Sequence, residues 1–447
     1  MAVASVPAAA AQVRVEPGQP WPALAPGDHV VLAPGNYHGP WEIEVPDVSV
    51  DAYGAVLHGP PDGSALVLAA PGITLQGLEV RDAGSATDLY APDAAAWLIG
   101  CDGCAVVDLR ASNTPTGVRV EASRDVLVER PILTSGPGAP GIDAYDAEGL
   151  VVTGARIVGF LDGVYLESSD DVVVQDSIIT GAFRYAFHAM FSRGTTLRTS
   201  DLAQNNIGSA AMYGRSVHIE NNVFRGHVGP LGFGLLLQEV TEATVEGNAF
   251  VGNTIGMLIV SVPDVTLRAN DVRDGGTGLL VRRTPTSSSS AVRAFDNDFH
   301  GNVTDVAIDD PEAAVTLLGN GYETASRLDL DGDGVSDVPH LPSSSFALLM
   351  SRQPDLSLYA LNPGVLLWET AEVAVPALRL ASLQDLAPRF APRTVASGPA
   401  ATRTTDAGRP GASPAPSAAA GRWTAVAIAL AAAALGAGAA RPRRSAW

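Results

Sequence analysis

Aliphatic residues return through the middle of this chain at intervals of 22 to 27 residues. Val128, Val152, Val174, Leu197, Ile219, Val245, Leu267, Ala294 and Leu317 mark one phase. Five residues after each stands a second hydrophobe: Leu133, Ile157, Ile179, Leu202, Phe224, Phe250, Val272, Phe299 and Tyr322. Leu75 with Val80 opens the series, and a shortened copy lies near Val106. Between anchors the chain alternates apolar and polar over short runs broken by Gly, Asn and Asp, with no helical period. A fixed period of this length means stacked units sharing one core. The pattern predicts an all-β fold, a right-handed single-stranded parallel β-helix (solenoid), in which each turn is a rung and rungs stack about 4.8 Å apart.

The phase within a rung assigns sides. Residues eight and ten before an anchor are aliphatic, aromatic or small (Val164 and Leu166, Phe187 and Ala189, Ser209 and Ala211, Leu235 and Leu237, Met257 and Ile259) and are expected inside. Residues seven and nine before it then face out, because strand side chains alternate. One outer column reads Glu121, Tyr145, Glu167, Met190, Met212, Gln238, Val260; its neighbour reads Arg119, Asp143, Tyr165, His188, Ala210, Leu236, Leu258. Met257 belongs to the core, and His218 stands alone outside Ile219.

Segments with other patterns flank the rungs. Residues 1–12 read as a residual signal or flexible terminus. Residues 13–60 form an N-terminal cap and first strands, 61–325 the rungs, and 326–340 an Asp-rich calcium-type loop. Residues 341–395 have helix-like apolar spacing and read as a partner-docking segment carried by Phe346, Leu349, Met350, Leu366 and Trp368. Residues 396–421 are a Pro/Ala/Ser-rich tether. Residues 422–440 read as a transmembrane helix, and 441–447 as a basic tail that Arg441, Arg443 and Arg444 place in the cytoplasm. The solenoid would hang outside the membrane on a leash.

Composition narrows the partners. A formal charge of −20 repels phosphates and argues against nucleic acid. The two cysteines, Cys101 and Cys104, form a lone C-x-x-C: a redox or metal pair, a local disulfide, or a free pair near a corner. Asp329, Asp331, Asp333 and Asp337 with Gly334 follow the spacing of an EF-hand-type calcium loop, except that His340 replaces the bidentate Glu at the twelfth position.

The run GNGYETASRLDLDGDGVSDVPHLPSSSFALLMSRQP after the last rung, with its Asp-Gly repeats, Val-Pro-His and Phe-x-x-Leu-Met, resembles the NosD family over about residues 13–390. The resemblance implies an extracytoplasmic subunit associated with assembly of the copper centres of nitrous-oxide reductase. It further implies an ABC transporter of permease and ATPase as partner, a copper chaperone lipoprotein as donor, and the reductase as acceptor. The C-terminal span departs from the family pattern.

The residues themselves offer a copper site. His188 and Met190 lie two apart on one outer face and Met212 one rung above Met190; thioethers and imidazole suit Cu(I). Facing outward, the set would be open to donor and acceptor, with Glu167 orienting His188. The rival class is a polysaccharide lyase, hydrolase or epimerase using carboxylates on an outer face. Asp143 and Glu167 beside Tyr145 and Tyr165, and the run Ser168–Asp171, are its candidates, but no tight Asp pair with a partnering His or basic residue emerges from the register. A surface adhesin or structural solenoid is the third reading. The sequence favours a non-catalytic, membrane-tethered assembly factor.

Overall fold

A computed structural model describes residues 11–136, 138–283, 291–380 and 383–390. Each turn of chain passes through three parallel sheets. Sheet 1 has twelve strands, from Trp41–Ile43 to Thr304–Ile308; sheet 2 has fourteen, from Gln12–Val15 to Val315–Leu318; sheet 3 has thirteen, from Gly35–His38 to Gly321–Tyr322. This is the parallel β-helix that the period predicts.

The two hydrophobic phases are its spine. In sheet 2, Val128 pairs with Val152, and the register continues through Val174, Leu197, Ile219, Val245, Leu267 and Ala294 to Leu317. In sheet 3, Leu133 leads through Ile157, Ile179, Leu202, Phe224, Phe250, Val272 and Phe299 to Tyr322. Phe224 stacks on Phe250 with centroids 4.8 Å apart, close to the rung spacing. The column begins earlier than Leu75, with Val13, Val30 and Val50. The copy at Val106, expected short, is a complete rung with strands Ala94–Ile99, Ala105–Val107 and Arg110–Ser112. An excursion over residues 82–93 lengthens the interval before it and hides the period.

Corners need partners for the backbone groups they bury. At the turn from sheet 2 to sheet 3, Asn222, Asn248, Asn270, Asn297 and Asn320 stack inside the solenoid. Each Oδ1 accepts the backbone N–H of the rung before, at 2.9 to 3.1 Å from Asn222 onward. Ser177 and Ser200 do the same with hydroxyls in earlier rungs. The ladder ends on Asp385, whose Oδ2 accepts both the backbone and side-chain N–H groups of Asn320 at 3.0 and 2.8 Å. Residues 383–390 thus close the open end, with Asp385 bridging to Leu317 and His340 and Arg389 bridging to Gly321 and Val335.

Cys101 and Cys104 are joined as a disulfide and are buried, both sulfurs near the Ala70 carbonyl, so neither presents a thiol. Two helices follow the Asp-rich loop: α1 (Ser345–Arg352), N-capped by Ser344, and α2 (Pro363–Ala374), N-capped by Asn362 with Pro363 in its first turn. Among the described residues no helix is long and apolar enough to cross a membrane. The tether 396–421, the span 422–440, the tail 441–447 and the first ten residues lie outside the described residues.

Ile219 is fully buried at the middle of the sheet 2 column. Ile219→Asp should cost on the order of 4 kcal/mol, because the carboxylate gains no partner there. A circular dichroism melt of the variant checks this; an unchanged midpoint would contradict the register.

Candidate functional site

The outer face of sheet 1 carries the predicted columns. Glu167 pairs with Met190 and Met190 with Met212; Tyr165 pairs with His188 and His188 with Ala210. His188, Met190 and Met212 therefore share one face, with the two thioethers on adjacent strands. Accessibility differs from expectation. His188 is 3% exposed and Met212 9%, and only Met190 is half-buried. Rungs less than 5 Å apart force bulky outer side chains to shield one another. Tyr165 and Tyr185 flank the imidazole with centroids at 5.0 and 4.2 Å. Met212 lies in an outward apolar stripe with Ile207, Ala210, Phe233, Leu236 and Leu258.

The partner of His188 is also different. Asp162, not Glu167, meets Nδ1, at 3.1 Å. Asp162 opens the strand Asp162–Glu167 and is fully buried; it also receives a two-pronged contact from Arg184, through Nε at 2.8 Å and through Nη2, and the Tyr185 N–H at 3.1 Å. Gly163 makes this close approach feasible, since a Cβ there would lie 2.4 Å from the Ala186 carbonyl oxygen. Burial pushes Asp162 up, but the charge and hydrogen bonds of Arg184, with help from His188, hold its carboxyl well below the usual range. Burial lowers the His188 imidazole, against the pull of Asp162. In the neutral ring, a proton on Nδ1 donated to the Asp162 carboxylate leaves the lone pair on Nε2. Among the described residues Nε2 has no hydrogen-bond partner.

Glu167 serves Tyr165 instead, accepting its hydroxyl at 2.7 Å, and that hydroxyl lies 4.0 Å from the Met190 sulfur. Burial and then Glu167 push the Tyr165 phenol far up. Burial and the Asp162 charge raise Tyr185 to about 12. Two rungs below Tyr165, Arg119 pairs with Asp143 on the strand between at 3.2 Å and with Glu121 at 3.0 Å, and reaches the Tyr90 carbonyl at 2.8 Å. The register showed no tight Asp pair with a partnering His or basic residue; in the structure Asp162 has His188 and Arg184, and Asp143 has Arg119. Asp162 aligns with Tyr185 at the start of the strand, three residues before Tyr165 and in the inward phase of Val164 and Leu166, so the alternation gave no outward signal for it. Phe191 and Tyr213, exposed and stacked at 5.4 Å, follow the two methionines at a corner of positive φ (53° and 57°). Side chains this bulky are uncommon there.

The other predicted sites divide. Carboxylate oxygens of Asp329, Asp331 and Asp333 converge within 4.8 Å. Asp337 does not join that group: its Oδ2 accepts the Leu330 N–H at 2.6 Å. His340 turns into the cap and packs against Tyr322 with ring centroids 4.4 Å apart, where burial lowers it to about 4. In the docking segment, Leu366 and Trp368 are exposed. Phe346 is buried, 6.5 Å from the Trp368 ring, and Met350 packs with Ala347 against the apolar stripe of sheet 1. The spacing of α1 describes packing onto the solenoid, not a free surface.

Burial pushes Asp143 up to about 7 in spite of Arg119. A folded value above the ordinary 3.8 means that this group favours the fold most below pH 4, and that its contribution is lost as pH rises through 7. The unfolding free energy of the parent minus that of Asp143→Asn should therefore fall between pH 4 and 8, by on the order of 3 kcal/mol. Urea titrations at several pH values check it, and a flat difference would contradict it.

Comparison with known proteins places the chain. Residues 132–326 match the family described as "Periplasmic copper-binding protein (NosD)". The chain is 27% identical over 403 residues to the "Probable ABC transporter binding protein NosD" of Pseudomonas aeruginosa, covering 85% of this chain and 92% of that one. It is 25% identical over 383 residues to the protein of the same description in Stutzerimonas stutzeri, covering 80% and 85%. Among solved structures it is similar in fold to a PL6 alginate lyase complex with trisaccharide: TM-score 0.50, 13% identity, 70% of this chain and 85% of that one. With much of the solenoid in the matched segment and relatives that span most of its length, this chain is similar to NosD-type proteins.

Proposed function

We propose that this protein is an extracytoplasmic accessory subunit, without catalysis of its own, that works beside an ABC transporter and passes copper to nitrous-oxide reductase during assembly of its copper sites. The carrying observation is His188: one ring nitrogen is fixed by Asp162, and the other is buried with no partner among the described residues, on the face that holds Met190 and Met212. An imidazole set in one tautomer by a carboxylate is the arrangement that orients a metal-binding histidine. Two thioethers beside it favour a soft ion such as Cu(I). Half-buried Met190 is the entry, and buried Met212 and His188 hold the ion more deeply. The family description and the relatives' names support copper and an ABC transporter; the permease, ATPase, copper chaperone lipoprotein and reductase as specific partners follow from the NosD resemblance.

A second reading, a polysaccharide lyase, hydrolase or epimerase, has one observation in its favour: Asp162, His188, Tyr165 and Arg184 are groups suited to acid–base work. Against it, they are spent on one another and buried. Glu121, Asp143, Asp162 and Glu167 also outnumber Arg119 and Arg184, which disfavours an anionic sugar and favours a cation.

Met190→Leu with Met212→Leu keeps the bulk and removes both sulfurs. Cu(I) affinity, measured by competition with a chromogenic chelator, should fall at least roughly tenfold, with circular dichroism unchanged and the reductase left copper-poor. Unchanged affinity would take the site elsewhere. Calcium is proposed for Asp329, Asp331 and Asp333, with Asp337 joining only if it releases Leu330. Adding calcium should raise the melting temperature by mass action, and Asp331→Asn with Asp333→Asn should abolish the rise. A melt indifferent to calcium and chelator would reduce the loop to a turn.

A further inference from the structure

Helix α2 is turned inside out. Its two carboxylates face the protein. Glu372 is 1% exposed and its Oε2 accepts the Ser345 N–H at 3.0 Å, while Glu369 Oε1 accepts the Ser344 hydroxyl at 2.7 Å. Both thus sit at the N-terminus of α1, where the helix dipole favours negative charge. Its large apolar side chains face away: Leu367 is 72% exposed and Val373 68%, with Leu366 and Trp368 also exposed. The 3-10 turn and link before it add Leu358 at 86% and Leu361 at 73%. Between residues 356 and 378 the only charged side chains are Glu369 and Glu372, so the outward surface carries no charge. A helix on the surface of a soluble body is arranged the other way, and a contiguous exposed apolar patch marks an interaction site.

The chain itself points to the occupant. The described body ends at Phe390, and the uncharged run Trp423–Ala440 begins about 30 residues later, followed by Arg441, Arg443 and Arg444. The intervening chain is only about 30 residues, at most about 100 Å when fully extended, so insertion of the run in a bilayer would keep the body within that reach of the lipid surface. A patch without charge, bearing Tyr359 and Trp368, suits the boundary between headgroups and hydrocarbon. We propose that the outward surface of α2 and the turn before it is an interfacial membrane contact, seated on the extracytoplasmic leaflet of the bilayer that holds the chain. This rests on the anchored reading of residues 422–440.

The two cysteines are bonded to each other, so one introduced cysteine can be labelled selectively. Leu367→Cys in the full chain, carrying an environment-sensitive dye, is mixed with phosphatidylcholine vesicles, with Tyr145→Cys on the solenoid as the control. The expected result is flotation with the vesicles, a blue-shifted dye at position 367 and its quenching by nitroxide-bearing lipid, with no quenching at position 145. A chain that floats with its dye at 367 in water overturns the contact, leaves the anchor standing and assigns this surface to a protein. A chain that does not float overturns both.

Discussion

A parallel solenoid must satisfy, at every corner, backbone groups that its own winding removes from water, and the rest of this structure depends on how that is done. Along one edge the answer is a column of side-chain oxygens, from Ser177 and Ser200 through five asparagines to Asp385. Each makes hydrogen bonds to the rung before it, so the column ties neighbouring turns together alongside the sheets. Its last member comes from a segment 65 residues further along the chain. That carboxylate, with Arg389, His340 and Tyr322, closes the core and fixes the direction in which the Asp-rich loop and the two helices leave.

The same stacking creates the site. Once rungs are held in register, residues from turns 22 or 23 positions apart become neighbours, and an outer face becomes a surface written in columns. On sheet 1 that surface changes character along the axis. Its first part is ionic, with Arg119, Asp143, Asp162, Arg184 and Glu167 paired; its last part is apolar, from Met212 to Leu280 and on to α1. His188, Met190 and Met212 lie where the two meet. In the proposed function, negative charge on one side would draw a cation and thioethers on the other would hold it without a competing hard ligand. Aromatic rings around His188 keep water from its free nitrogen.

Periodicity made much of this legible. The inner columns at Ile219 and Phe224, and the outer columns through His188 and Met190, follow from counting residues, because a β-helix translates sequence interval directly into adjacency. Counting could not show burial. Tyr165 and Tyr185 cover His188 through side-chain volume, which an alternation of inside and outside does not contain. Nor could it place Asp162, which leaves the strand phase at a corner, or assign Asp385 to the end of a ladder begun by serines. The apolar spacing of Phe346 and Met350 looked like a docking surface because packing onto a sheet and packing onto a partner use the same pattern; the surface left free lies on α2, whose glutamates point inward.

The central claim is that one soft cation is held by an imidazole and two thioethers on the outer face of sheet 1. X-ray absorption at the copper edge of the Cu(I)-loaded protein addresses it directly, because the scattering distinguishes sulfur from nitrogen neighbours and counts them. The account predicts two sulfur neighbours and one nitrogen, both sulfurs disappearing in the Met190→Leu, Met212→Leu protein. A first shell of nitrogen and oxygen alone, or one that the double substitution leaves unaltered, would contradict it.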